Sequence, residues 1–185
     1  MTCGKGKPLL FLLALTLVSL PQFAVAQTPY VGSESGSFTL SLTSATTAHA
    51  NATATGSDNF GSFTSVITAD LDLSNPSLNI VSNGTFDRTY VDGTIFGTFT
   101  GTLSPTSATT ATFTLPFLVT GGTGHFAGIT GSGLEEGNAT FTGPLRADFT
   151  SSFRATVVPE PGTLALLAGS LFTGSLMSLR RRRHR

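Results

Sequence analysis

Two histidines, His49 and His125, are the first residues to consider for acid–base or metal chemistry in the central part of the chain. Neither has a cysteine, a carboxylate or a second histidine at the spacing of a metal site or a catalytic triad. The sequence also holds no His-Glu-x-x-His, Gly-x-Ser-x-Gly or Walker motif. We therefore predict that His125 is a loop residue rather than a general base. We expect no enzyme activity, no metal and no other cofactor.

Carboxylates form three pairs with oxygen ligands that calcium could use: Asp70 and Asp72, Asp87 and Asp92, and Glu135 and Glu136. The first pair would share one side of a strand, the second would flank a turn, and the third would lie in a glycine-rich loop. None matches the spacing of an EF-hand, so a solvated acidic surface is the prediction. A carboxylate pair for glycoside cleavage stays open, because the distance it needs depends on the fold.

The charge distribution excludes nucleic acid as a partner of the central segment. Residues 27–158 contain three arginines, nine acidic residues and no lysine, a net charge of −6. Binding to a phosphate backbone needs clustered lysine and arginine. Abundant glycine and threonine, with no tryptophan, are typical of an all-β domain with many turns.

Alternation of apolar and polar residues predicts the strands of this domain. The clearest alternating runs are Ala111 to Val119 and Leu145 to Val157, with others beginning near Phe38, Phe63, Leu78 and Ile95. An apolar face opposite a threonine-rich face indicates antiparallel pairing. Glycines inside strands, such as Gly97 and Gly101, suit the bends of a closed sheet. We predict an all-β fold, a single antiparallel β-barrel of about eight strands over residues 27–157.

Residues 1–26 have the pattern of a secretory signal peptide. Lys5 and Lys7 precede a twelve-residue apolar run, which is too short to span a bilayer. Ala24 and Ala26 occupy the −3 and −1 positions of a signal-peptidase site, which makes Gln27 the predicted first residue of the mature chain. The one cysteine, Cys3, would leave with the signal peptide, so the mature chain would have no disulfide.

Residues 158–185 carry a second targeting pattern. Pro159, Glu160 and Pro161 precede an uncharged stretch, residues 162–179, which is long enough for a transmembrane helix. A basic tail follows, formed by Arg180, Arg181, Arg182, Arg183 and Arg185. Such a tail stays cytoplasmic, so the domain would lie outside the membrane.

This order of Pro-Glu-Pro, apolar helix and arginine cluster resembles the PEP-CTERM sorting signal of exported proteins in Gram-negative bacteria. The resemblance implies transient anchoring in the inner membrane, recognition by exosortase and cleavage near Pro159–Pro161. It also implies a final place at the cell surface or in an extracellular matrix, with exopolysaccharide as a partner. An ordinary tail anchor is the alternative.

The segment from Gly121 to Gly131 resembles the Gly-Gly-Thr-Gly-x-Phe-x-Gly-x-x-Gly signature of allene oxide cyclase and dirigent barrels. Its main members here are Gly121, Gly122, Gly124, Phe126 and Gly128. The glycines permit positive φ at a tight corner, where Phe126 could plug the barrel end. We therefore interpret the segment as architectural. The pocket residues of those families have no counterpart that can be matched in this chain.

Two functions follow as hypotheses. The first is a non-enzymatic surface or matrix protein associated with exopolysaccharide. The alternative is a barrel that binds a small ligand, or an isomerase resembling allene oxide cyclase. A filled barrel would favour the first, whereas a deep apolar pocket with a few converging polar groups would favour the second.

Overall fold

The computed structural model describes residues 27–158. The predicted signal peptide and, apart from Val158, the predicted sorting segment with its transmembrane helix at 162–179 lie outside these residues. Within the described part, no helix has the length and apolar character needed to cross a membrane. The elements are β1 Thr28–Leu42, β2 Thr47–Asp58, β3 Gly61–Asp72, β4 Asn79–Tyr90, β5 Gly93–Pro105, β6 Thr110–Gly122, a short 3-10 helix Gly124–Phe126, β7 Thr130–Gly143 and β8 Arg146–Val158.

Eight antiparallel strands form one closed barrel. Each strand pairs with the next along the chain, and β8 pairs back with β1, for example through Thr28 and Val157. Short connections suffice because the strands joined by each connection are also paired neighbours in space. The prediction of an all-β antiparallel barrel of about eight strands is confirmed.

Most of the alternating residues divide between the inside and the outside of the barrel as predicted, but Leu145, the first residue of one run, is exposed in a turn. Ala111, Phe113, Phe117 and Val119 of β6 are buried, whereas the threonines between them face solvent. Buried and exposed residues alternate along β8 in the same way. This strand ends at Val158, one position past the predicted domain boundary at 157. Gly97 of β5 makes room for the ring of Phe86, because a Cβ at position 97 would lie only 2.7 Å from that ring.

Aromatic rings close one end of the barrel. Phe126 of the 3-10 helix packs against Phe60 and Tyr90, with ring centroids 5.5 and 4.8 Å apart. Tyr30 stacks on Phe60 from the other side. Thr28, the first residue of β1, and Val157, next to the last residue of β8, pair at this closed end. The opposite end, formed by the β1–β2, β3–β4, β5–β6 and β7–β8 connections, is the mouth.

Candidate functional site: the barrel cavity and its ion-paired floor

A cavity of about 100 Å³ occupies the half of the barrel next to the mouth. Its walls include six phenylalanines: Phe38, Phe86, Phe99, Phe113, Phe117 and Phe149. Two ionisable residues, Arg88 and Glu135, are its only polar lining groups among the described residues. The cavity is on the scale of an engineered cavity of about 150 Å³ that admits benzene. It therefore has space for one ring, and because the cavity is only partly enclosed, a short substituent on that ring can extend toward the mouth.

The sequence of β2 explains why this space is not filled by protein. The inward positions of β2 are occupied by Ala48, Ala50, Ala52, Ala54 and Gly56. The large inward side chains of the opposite strands therefore meet nothing large across the barrel. The small residues at every second position from 48 to 56 indicate a cavity, whereas alternation of apolar and polar residues indicates only that these positions face inward.

Arg88 of β4 forms the floor of the cavity. Only 1% of this residue is exposed, and its guanidinium lies among aromatic rings. Arg88 Cζ is 3.8 Å from the ring centroid of Phe153 and 5.0 Å from that of Phe86. Cation–π attraction stabilises a desolvated guanidinium in such surroundings.

Two strands, β1 and β7, supply the hydrogen-bond acceptors around Arg88. Its Nε donates to Glu34 Oε2 of β1 at 3.3 Å, and its Nη2 donates to Glu135 Oε2 of β7 at 2.9 Å. Nη1 donates to the Tyr30 hydroxyl at 3.2 Å. Burial lowers the pKa of Arg88, but neighbouring negative charge, above all that of Glu34, outweighs burial and raises it. Arg88 therefore stays charged inside the barrel.

Glu34 is the buried carboxyl with the most strongly altered ionisation. Burial raises its pKa to about 7, against the lowering effect of Arg88, and the negative charge of Glu135 adds to the rise. Its second oxygen, Oε1, is buried without a hydrogen-bond partner in the described residues, as is the hydroxyl of Ser151, which lies opposite on β8. An unsatisfied buried carboxylate oxygen disfavours the charged form.

A layer of hydroxyl groups separates this cluster from the closed end. The Tyr30 and Tyr90 hydroxyls are 2.9 Å apart, and Tyr90 also donates to Asp58. Burial raises the pKa of both tyrosines, so both remain neutral donors. The hydrogen bonds run from Arg88 through Tyr30 and Tyr90 to Asp58 and join three strands, β4, β1 and β2.

The acidic surface predicted from the sequence is only partly correct. Asp72, Asp87, Asp92 and Glu136 are exposed, as expected. The placement of Glu135 and Glu136 in a glycine-rich loop is wrong, because both lie in β7 and alternate between its two faces. Glu135 faces the interior and pairs with Arg88, whereas Glu136 pairs outside with Arg154 at 3.2 Å.

The alternation pattern of the sequence also predicts that Arg88 and Glu34 point into the barrel. Arg88 has the same parity in β4 as Phe86 and Tyr90, so a strand with those two residues inside must also bring Arg88 inside. Glu34 holds the same inward parity in β1.

The two histidines lie outside the cavity. His125 is exposed in the 3-10 helix between β6 and β7, which confirms its prediction as a connecting residue. The sequence showed no partner for His49 at the spacing of a metal site or a triad, but antiparallel pairing of β2 and β3 sets its Nδ1 2.8 Å from Asp70 Oδ1. Hydrogen bonds from His49 and from Asn83 lower the pKa of Asp70.

The glycine segment forms the corner between β6 and β7. Gly124 has φ of 60° and Gly128 has φ of 75°, which confirms the predicted positive φ. Gly121 and Gly122 instead end strand β6. The signal-peptidase positions Ala24 and Ala26 and the sorting residues Pro159, Glu160 and Pro161 lie outside the described residues.

Among residues 27–158, no three His, Cys, Asp or Glu side chains come together as a set that could hold a metal ion. The cavity itself offers apolar walls, the guanidinium of Arg88 and the carboxylate of Glu135. In comparisons with known proteins, no family model, no curated protein and no solved structure matches this chain.

Proposed function

We propose that this chain is an exported protein whose barrel binds a small, largely apolar molecule in the cavity near its mouth. The observation that carries the proposal is the cavity of about 100 Å³ with apolar walls and Arg88 and Glu135 at its floor. Apolar pockets with a few converging polar groups are typical of small-molecule sites. This feature favours the ligand-binding hypothesis over the filled barrel of a purely structural protein.

Export is the second part of the proposal, and the two targeting patterns in the sequence support it. The signal-peptide pattern over residues 1–26 and the sorting pattern over residues 158–185 flank the barrel. Residues 28 and 157 pair at the closed end of the barrel. An anchor attached after residue 158 would therefore hold the closed end toward the membrane and leave the mouth open to the outside.

Binding, rather than catalysis, is the function we place first. Among the described residues, the cavity lining has no serine, cysteine, histidine or lysine, and its two ionisable groups are hydrogen-bonded to each other. The isomerase alternative has one observation in its favour, because Glu135 brings a carboxylate to the cavity as a possible proton acceptor. That carboxylate already accepts a hydrogen bond from Arg88.

Titration of the purified full chain with isopropylbenzene, followed by calorimetry, tests the cavity as a binding site. Ala52→Leu should fill the cavity and abolish the binding heat, since Ala52 is buried in its wall. Thr53→Leu is the matched control on the outer face of the same strand, and should bind as the natural chain does. Absence of binding to the natural chain, or equal binding by the Ala52→Leu chain, would overturn the proposal.

A further inference from the structure

The floor of the cavity presents hydrogen-bond donors that the protein does not use. A guanidinium carries five N–H groups. In the described residues, three of those on Arg88 have acceptors, namely Glu34, Tyr30 and Glu135. Each terminal nitrogen, Nη1 and Nη2, therefore keeps one N–H group, and Arg88 lines the cavity. A ligand that brings an oxygen acceptor to this floor would satisfy donors that are otherwise desolvated.

The charge of the floor limits which acceptor it can take. One guanidinium is matched by two carboxylates, Glu34 and Glu135, whose oxygens lie 3.3 and 2.9 Å from it. Arg154 of β8, the strand that pairs with β7, does not offset this charge, because it points outward and pairs with Glu136. With both carboxylates ionised the cluster has a net charge of −1. A ligand carboxylate would add a second net negative charge in an apolar cavity, where charges interact strongly.

We infer that the cavity selects neutral molecules, such as ketones, esters or amides, that place one oxygen acceptor at Arg88, and that it rejects carboxylates of the same shape. The inference rests on the proposed ligand-binding function and names its ligand class. It also reverses the usual expectation that a buried arginine in a pocket marks a site for anions. The carboxylates of β1 and β7 already fill the anion-binding role of this arginine.

Three probes of nearly equal shape test the ligand class: acetophenone, benzoate and isopropylbenzene. They have the same number of non-hydrogen atoms and differ in carrying a neutral acceptor, a charged acceptor or no acceptor. Calorimetric titration of the purified full chain at pH 8 should give the tightest binding for acetophenone. Benzoate should bind at least about tenfold more weakly, because like charges repel in a site of low dielectric constant.

Glu34→Gln provides the matched variant. It removes one negative charge from the floor, keeps the shape of the side chain and leaves the cavity wall unchanged, since Glu34 is not one of the lining residues. We expect the ratio of its benzoate affinity to its acetophenone affinity to rise by about tenfold or more.

The outcomes separate the inference from the proposed function. Benzoate binding as tightly as acetophenone would overturn the charge argument. Isopropylbenzene binding as tightly as acetophenone would overturn the assignment of Arg88 as a donor to the ligand. A Glu34→Gln chain that gains nothing for benzoate would also contradict the inference. Failure of all three probes to bind would instead overturn the proposed ligand-binding function, and the inference with it.

Discussion

Two arginines show how burial changes the value of an ion pair. Arg88 and Arg154 each bind one of the consecutive glutamates of β7, but Arg88 is buried, whereas 70% of the Arg154 side chain is exposed. Arg88→Met would leave Glu34 and Glu135 buried without their cation and should cost about 3–5 kcal/mol of unfolding free energy. Arg154→Met should cost less than about 1 kcal/mol. Denaturant melts of both variants test this difference, and equal costs would contradict it.

The ionisation of Glu34 predicts an unusual pH dependence. Burial raises its pKa from 4.5 to about 7, so between these pH values the folded chain holds a proton that the unfolded chain has released. The stabilisation that comes from this bound proton is fully present below about pH 4.5 and is lost as the pH rises to 7. The free energy of unfolding should fall by about 3 kcal/mol over this range.

Urea melts between pH 4.5 and 8 measure this slope. Glu34→Gln cannot ionise, so its free energy of unfolding should stay nearly constant over the same range. A natural chain whose stability is flat or rises across this window would show that Glu34 is charged in the folded state.

At the scale of an element, the corner between β6 and β7 depends on one glycine. Gly124 has φ of 60°, and a Cβ there would lie 2.2 Å from the backbone oxygen of Asp92. Gly124→Val should therefore lower the melting temperature, with a loss above about 1 kcal/mol, because a β-branched residue strongly resists positive φ. His125→Ala, an exposed neighbour in the same turn, is the control and should melt like the natural chain. Similar melting of both variants would mean that the corner adapts at little cost.

At the scale of the whole molecule, the two targeting patterns predict the mature product. It should begin at Gln27 and end near Pro159–Pro161, so that it retains the described barrel. Intact-mass measurement of extracellular material from the native host checks both ends. Extracellular chains that still carry residues 164–185 would contradict the sorting hypothesis.

The sequence by itself determined the secondary structure and the class of fold. Period-2 alternation is a local property, so it identifies the strands and their buried faces without knowledge of their partners. Turn residues between the runs supplied the short connections of an antiparallel meander. Positive φ at Gly124 and Gly128 was also predicted, because it depends on local backbone sterics.

Only the tertiary structure decided which charged residues meet. Glu34, Arg88 and Glu135 are separated by 54 and 47 positions along the chain, and closure of the barrel brings them together. His49 and Asp70 likewise meet through the register of β2 and β3. Alternation states that a side chain points inward, but the depth of that side chain depends on strand stagger around the whole barrel. The cavity has the same origin, since the small residues of β2 leave space only where large residues from other strands do not reach across.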